Sequence, residues 1–363
     1  MNYIFNIVAA LKTLEDSIRP RLVVFYSENA PIEYIHQLNY PEIHFQLLRD
    51  FPENWLLRKF NGLFKRISGI DPYTRLGYFA KTDCLYPYFE FLDKRFDGSK
   101  NKIHWLVDFN NRVFSDHYQD GGELMKKWQD LIVMRTGKVV LSSNALKQEL
   151  YSYYPSPKCD LRILRFASTI ELPPENTHAP VLKKFALADS FVLSPNQFWE
   201  HKNQLIVLEA LKLIRESRPE MRFRVLFTGS MQVNRGKGAY VESLLFKVKE
   251  YGLASYVSFL GVLDRSEQLI LMKHASCLLQ PSLYEGWSTL VEEAKALNKF
   301  IILSDLPVHK EQINKNCYFF DRYSPTDLAD SLVRFFTEKP QVVQLKYEDN
   351  IHQFAKDIME VLN

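Results

Sequence analysis

The chain reads as an α/β protein of two doubly wound domains, each a parallel sheet with helices on both faces. Three observations lead there. Apolar, strand-like runs alternate with helical stretches along the whole length. With 363 residues there is room for two domains of ordinary size. The alternation breaks at 167–182, where Pro173, Pro174 and Pro180 interrupt the hydrophobic period.

Taken in order, the first half opens with an amphipathic helix over 2–14. Strands are expected at 21–26, 43–48, 103–109, 138–142 and 161–166. The second half places strands at 190–194, 223–228, 257–260, 276–280, 300–304 and 317–320, with helices at 204–215, 240–251, 266–275 and 289–297 between them. A last helix, 347–362, sets Ile351, Phe354, Ile358 and Val361 on one face. No internal repeat stands out.

Composition narrows the function classes. A hydrophobic content of 46% with 25% charged residues is that of a soluble globular protein, and 14% aromatics is on the high side. A formal charge of +3 is too small to argue for nucleic acid, and none is expected as a partner. Cys84, Cys159, Cys277 and Cys317 lie far apart with no metal spacing, so they read as reduced, mostly buried thiols of a cytosolic protein. No apolar run approaches the roughly 20 residues that span a bilayer. The start lacks the basic lead of a signal peptide. There is no G-x-x-x-x-G-K-[ST], H-E-x-x-H or G-x-S-x-G, and Gly236-Lys237-Gly238 stops short of a dinucleotide loop.

The most informative stretch is PSLYEGWSTLVEEAKAL, 281–297. It follows a short apolar strand and turns through Gly286. It then becomes helical from Ser288 or Thr289, with Leu290, Val291, Ala294 and Leu297 on one face. On a helical wheel Glu293 flanks that stripe, and Glu292 and Lys295 point to water. Glu285 sits just before the helix, where free amides and the helix dipole favour an anion. Two carboxylates thus bracket a phosphate-binding helix start.

This E-x7-E across a strand, loop and helix resembles the signature of the retaining glycosyltransferases of family 4, the group 1 glycosyl transferases, which have the GT-B fold of two Rossmann-like domains. Other segments are similar to that family in the same order. FVLSPNQFWEHKNQL, 191–205, is similar to the first donor-domain motif; Lys202 matches the family's lysine, and Gln197 stands where an arginine is usual. LFTGS, 226–230, ends a strand in a glycine turn, VSFLGVL, 257–263, is similar to the strand and loop that meet the base, and IILSDLPVHKE, 301–311, follows in the expected place. In WLVDFNNR, 105–112, Asn111 replaces a histidine that sits near the reacting sugar in relatives. It can hydrogen-bond but not titrate.

The resemblance implies residues 1–175 as an acceptor-binding domain, 176–345 as a nucleotide-sugar domain, and 346–363 as a helix crossing back to the first. Relatives begin with a strand and a glycine-rich loop. This chain opens at what reads as the following helix, so either that strand is absent or the natural start lies upstream. The implied activity is retaining transfer of a sugar from a nucleotide diphosphate to a hydroxyl of a lipid-linked glycan or oligosaccharide, for a bacterial surface polysaccharide. Lys202 and the backbone near Gly286, Trp287, Ser288, Thr289 and Leu290 would meet the diphosphate, Glu285 the sugar and Glu293 the ribose. Asn111 would act near the reacting centre. Asn196, Gln197, His201, Gly229, Ser230 and Leu263 would complete the donor site. No metal or cofactor is expected, since the D-x-D metal device of the other large glycosyltransferase fold is missing. A hydrolase, an epimerase or a non-catalytic nucleotide-sugar-binding protein of the same fold stays open, because of Gln197 and Asn111. Residues 55–67, WLLRKFNGLFKRI, are basic and amphipathic. They fit either an anionic membrane surface at the inner face of the cytoplasmic membrane or a packed helix with a solvated basic face.

Overall fold

The computed structural model describes residues 2–27, 30, 32–48, 66, 82–88, 96, 99–118, 120–187, 190–231 and 238–363. Apart from Arg66, the 55–67 segment lies outside the described residues, as does most of the Gly236–Gly238 stretch.

In the first half, helix α1 (Asn2–Lys12) leads into strand β1 (Leu22–Tyr26), helix α2 (Glu33–His36) and strand β2 (Ile43–Leu47). Strands β3 (Cys84–Tyr88) and β4 (Asn101–Trp105) follow, then helices α3 (Asn110–Val113) and α4 (Glu123–Val133), strand β5 (Lys138–Leu141), helix α5 (Asn144–Tyr153) and strand β6 (Asp160–Ile163). Among the described residues β1 pairs with β2, and β3-β4-β5-β6 form a second sheet in that order, every pairing parallel. Strand β3 escapes the sequence reading because Pro87 argues against a strand. It is tolerated here because, among the described residues, β3 pairs only with β4 and so stands at an edge. Strand β4 stops at Trp105 rather than running to 109, which frees Val107, Asp108 and Phe109 as a loop.

In the second half, helix α6 (His178–Lys184) precedes strand β7 (Phe191–Pro195), helix α7 (Gln204–Ser217), strand β8 (Arg224–Thr228), helix α8 (Gly238–Glu250) and strand β9 (Val257–Phe259). Then come helix α9 (Arg265–His274), strand β10 (Cys277–Gln280), helix α10 (Thr289–Ala296), strand β11 (Ile301–Ser304), helix α11 (Pro307–Gln312) and strand β12 (Cys317–Phe320). Helices α12 (Pro325–Glu338) and α13 (Glu348–Leu362) close the chain. The sheet order is β12-β11-β10-β7-β8-β9, all parallel. The chain therefore builds outward from β7, returns beside it at β10, and builds the other way. Both halves are Rossmann-like.

The helix periods explain the layers. In α7, Ile206, Val207, Ala210, Leu211 and Ile214 recur at helical spacing and are buried against Val225, Phe227, Leu279 and Leu332. On the opposite face Leu269, Met272, Leu290, Val291 and Ala294 cover Leu193, Leu226 and Leu278. In the first half, Ile7, Val8, Ala10 and Leu11 of α1 share one core with Ile103 and Trp105 and with Phe354, Ile358 and Val361 of α13. The last helix thus packs on the first, and Tyr3 stacks on Trp105 with ring centroids 3.7 Å apart. Of the cysteines only Cys277 is fully buried; Cys84, Cys159 and Cys317 are half-buried, and all four are free thiols. The expectation of mostly buried thiols holds for one of the four, since the others lie on strands at or next to a sheet edge or beside a turn.

Candidate functional site

A doubly wound sheet has one place where neighbouring loops leave in opposite directions, beyond the carboxyl ends of the two central strands. Here those strands are β7 and β10. The loop after β7 turns through a short helical segment, Glu200–Lys202, and enters α7 from Asn203 at φ 56°. The loop after β10 carries residues 281–288 into α10, whose first turn is capped by the Ser288 hydroxyl accepting the Val291 N–H. Lys202 Nζ donates to Glu285 Oε1 across the gap, at 2.6 Å.

That oxygen takes two more donors, Gln280 Nε2 and Ser282 Oγ, each at 2.7 Å. Burial by itself would raise the Glu285 pKa. The Lys202 charge and the Ser282 hydroxyl outweigh it and hold the carboxyl below its usual range. His309 lies fully buried nearby, its Nδ1 2.8 Å from the Ser304 carbonyl and its Nε2 without a partner among the described residues. Burial lowers its pKa despite the Glu285 charge, so it stays neutral. His201, also buried, is pushed down to about 4 by burial and by Lys202. A carboxylate, an ammonium and two neutral imidazoles therefore converge at the mouth of α10.

The second carboxylate of the E-x7-E, Glu293, is 3% exposed and meets Arg265 Nη2 at 2.5 Å. Burial raises its pKa, and Arg265 only partly opposes that. Its neighbour corrects the helical-wheel reading. Glu292 does not point to water but is 1% exposed, and Lys295 is mostly buried with it. The Tyr347 hydroxyl donates to Glu292 Oε2 at 2.6 Å, Gln312 Nε2 to Oε1 at 2.9 Å, and Lys295 Nζ to both oxygens. The chain leading into α13 passes over this side of α10 and buries what an isolated helix would leave wet.

The first half of the molecule grips the same loop. The Tyr284 hydroxyl accepts the Phe109 N–H and donates to Glu149 Oε2, both at 2.8 Å. Ser143 Oγ donates to the Gly286 carbonyl at 3.1 Å, and Trp287 Nε1 to that of Phe166 at 3.0 Å. Only glycine fits at 286, where a Cβ would lie 2.2 Å from the Val107 carbonyl oxygen. His117 Nε2 stands 3.0 Å from Glu200 Oε2 and stacks on Phe114, which also touches His201. Glu311 accepts the Asn144 and Ala145 amides at the start of α5, 2.9 Å each, and pairs with Arg165.

Of the residues singled out from sequence, Lys202 and Glu285 are in contact with His201 beside them, Gly286, Trp287 and Ser288 continue that loop into Thr289 of α10, Leu290 is packed in the core, and Glu293 pairs with Arg265. Asn196, Gln197, Gly229, Ser230 and Leu263 lie along the adjoining rim, beyond β7, β8 and β9. Gly229, at φ 131°, packs so tightly that a Cβ would lie 2.4 Å from the Asn196 carbonyl oxygen, and its N–H reaches the Gly261 carbonyl at 2.8 Å. Gln197 is exposed. Asn111 is turned elsewhere. It is buried, its Oδ1 accepts from Gln129 Nε2 at 2.7 Å, and its Nδ2 donates to the Gly122 carbonyl at 3.3 Å. Val107 and Asp108 are the residues of that loop lying against Gly286. Gln280, Ser282, Tyr284, His309, Arg265 and Asp108 were missed as site residues. Asp108, Ser282, Tyr284 and His309 stand in segments that the motif reading quotes, and nothing local marks Gln280 or Arg265.

Residues 183–357 match the family model of the glycosyl transferases group 1. An uncharacterized glycosyltransferase of Methanocaldococcus jannaschii is 24% identical over 234 residues, 61% of this chain and 53% of that protein, so the chain spans about half the length of this curated relative. Among solved structures, Anabaena HepE in complex with UDP and glucose superposes with a TM-score of 0.68 at 15% identity, over 98% of this chain and 94% of that one. WaaG, a glycosyltransferase involved in lipopolysaccharide biosynthesis, does so with a TM-score of 0.60 at 11% identity, over 99% and 95%. At such identities these two speak for the fold. The part of the chain that carries the Lys202–Glu285 pair, residues 183–357, is thus similar to the glycosyl transferases group 1, in a molecule of GT-B fold.

Proposed function

We propose that this protein transfers a sugar from a nucleoside-diphosphate sugar to a hydroxyl of a glycan acceptor, with retention at the anomeric carbon. The observation that supports this best is the Lys202–Glu285 pair, held over the first turn of α10 at the point where the sheet order reverses. The diphosphate would lie on the first amides of α10 and against Lys202, which meets the charge that grows as the sugar–oxygen bond breaks. Glu285, ionised and anchored through Oε1, would present its other oxygen to sugar hydroxyls. Glu293 would take the ribose hydroxyls. In this reading the cation and the helix start neutralise the diphosphate, and the reaction needs no metal ion.

A lipid-linked acceptor and a role in surface polysaccharide synthesis are part of the proposal, supported by the resemblance of 191–205 to bacterial polysaccharide enzymes and by the fold shared with WaaG. Among the described residues no helix is long and apolar enough to cross a membrane. Contact with the inner face of the cytoplasmic membrane would fall to 55–67. Flotation on anionic and neutral vesicles at low and high salt tests that contact, and flotation that ignores salt and charge counts against it.

The central experiment incubates the protein with UDP- and GDP-sugars, with and without lipid-linked acceptors, in EDTA and in Mg²⁺. Acceptor-dependent transfer, undiminished by EDTA, is the expected result. Release of free sugar without an acceptor would favour a hydrolase, and binding without turnover a nucleotide-sugar-binding protein.

A further inference from the structure

Trp199 is 46% exposed, although it stands in the loop between β7 and α7, just ahead of the buried His201. Tryptophan is highly buried on average, so one left this open beside a crevice calls for an occupant. Its ring meets that of His201 edge-on, with centroids 5.3 Å apart. Phe114 and His117 come from the other half of the molecule. They stack on each other at 5.1 Å, and both approach His201, at 5.6 and 6.0 Å. Rings from both halves thus form one cluster, and polar groups are built into it. His117 Nε2 stands 3.0 Å from Glu200 Oε2, while Glu200 Oε1 has no partner among the described residues and that side chain is half-exposed. His201 is 4% exposed, and its Nδ1 also lacks a partner among the described residues. The donor site is adjacent. His201 feels the charges of Lys202 and Glu285, and Phe114 lies 6.4 Å from Tyr284, the residue before Glu285.

We propose that this cluster is the sugar site of the acceptor, where a pyranose ring lies on the Trp199 indole and one of its hydroxyls donates to Glu200. This rests on the glycosyl-transfer reading. The negative face of an aromatic ring attracts the C–H face of a sugar, whose hydrogens carry partial positive charge. A carboxylate at the side of the ring then takes the hydroxyls that project from the sugar's rim. Such a pairing suits a neutral carbohydrate and disfavours a bare lipid phosphate, which Glu200 would repel. The same reading places the nucleotide elsewhere, with the diphosphate at Lys202 and the ribose at Glu293, so Trp199 is left for the acceptor. The acceptor is therefore a glycan that presents a sugar with an open C–H face, such as a gluco- or galacto-configured pyranose, rather than an unglycosylated lipid carrier. Because Phe114 and His117 belong to the other half, the cluster is complete only while the halves are in contact, and acceptor binding and closure favour one another.

The test uses the full chain saturated with UDP, with methyl β-D-glucopyranoside and methyl β-D-galactopyranoside as probes. Saturation-transfer NMR should show contact with the ring C–H protons of at least one of them. Trp199→Ala should weaken that binding about tenfold, while Trp199→Phe keeps most of it and UDP affinity, by calorimetry, stays within about threefold in both. Glu200→Gln should weaken it less. Trp199 is exposed enough that its removal should leave the thermal midpoint unchanged. With UDP-glucose, UDP-galactose and GDP-mannose as donors, Trp199→Ala should raise the acceptor KM about tenfold and leave the donor KM as it was. Equal binding of the probes by the wild type and Trp199→Ala, or no binding of either probe by the wild type, overturns the site. A parallel loss of UDP affinity assigns Trp199 to the donor and overturns it too. Transfer whose acceptor KM is indifferent to Trp199 overturns the site and leaves the transferase reading standing. Probe binding that depends on Trp199, without turnover of any donor, overturns the transferase reading and the acceptor role with it.

Discussion

Lys202 and Glu285 are each worth less alone than together. A carboxylate this buried is tolerated because three donors meet one of its oxygens, so removing the cation leaves a charge the site cannot solvate. Lys202→Ala should lower kcat more than it raises the donor KM, since the diphosphate charge is greatest in the transition state. It should also move the pH dependence of stability. The Glu285 pKa is lowered in the folded state, so its contribution is present above the ordinary carboxylate range and is lost as pH falls through the depressed value. Without Lys202 the burial cost dominates and raises the Glu285 pKa, so in thermal melts between pH 3 and 7 the Glu285 contribution should fall as pH rises, where in the wild type it grows. For Glu293 the sign is opposite. Its pKa is already raised, and Arg265 is its cation. Arg265→Ala should raise it further, so UDP affinity should fall steeply as pH drops towards 5, by about tenfold for the loss of one charge-assisted hydrogen bond. Calorimetry with a flat pH profile would exclude Glu293 from the nucleotide site.

At the scale of elements, the loop from 281 to 288 belongs to both halves of the molecule. Glu285 is tied to its own sheet through Lys202, Gln280 and Ser282, while Tyr284 and Gly286 on either side are tied to Phe109, Glu149 and Ser143. Moving the halves apart must break those bonds or drag the loop, so the position of Glu285 is coupled to closure of the crevice. Tyr284→Phe strands the Phe109 amide and Glu149. It should cost about 1–3 kcal/mol in urea unfolding, with kcat falling while UDP affinity holds. Helix α5 depends on the other half as well, because Glu311 accepts two amides of its first turn. Glu311→Ala should cost about 1–2 kcal/mol, the value of a lost helix cap.

For the whole molecule, α13 is a structural tie. Phe354, Ile358 and Val361 are buried against α1 and the first sheet, and each such side chain contributes about 1.5–3 kcal/mol. Against a net stability of about 5–15 kcal/mol that sum is decisive. Truncation before Glu348 should abolish the cooperative thermal transition. The approach to α13 is fixed by the buried knot of Tyr347, Glu292 and Gln312, where Tyr347 also takes the Ser168 amide at 2.9 Å. One hydroxyl thus joins the linker between the two sheets, the helix after β10 and the returning chain. Tyr347→Phe should loosen that junction, seen as faster amide exchange at Ser168 with α7 unaffected.

Local pattern alone settled a good deal. The period-2 and period-3.6 runs of the second half mark β7 to β12 and α7, α9 and α10 within a residue or two, because those elements bury continuous apolar faces. The start of α10 at Ser288 or Thr289 is legible, and the chain order of the motifs already resembles a GT-B transferase. Strand β3 was not legible, since its proline is harmless only at an edge, and no local signal says which strand is an edge. Nor was the burial of Glu292, which depends on Tyr347, 55 residues on, crossing over its helix. The same holds across the crevice. A sequence can show that Glu285 precedes a helix, but not that Asp108, 177 positions earlier, abuts the glycine that follows it. Helix and strand periods are properties of neighbours in the chain. Which carboxylates share a crevice, and what pushes their pKa values apart, is decided by long-range packing alone.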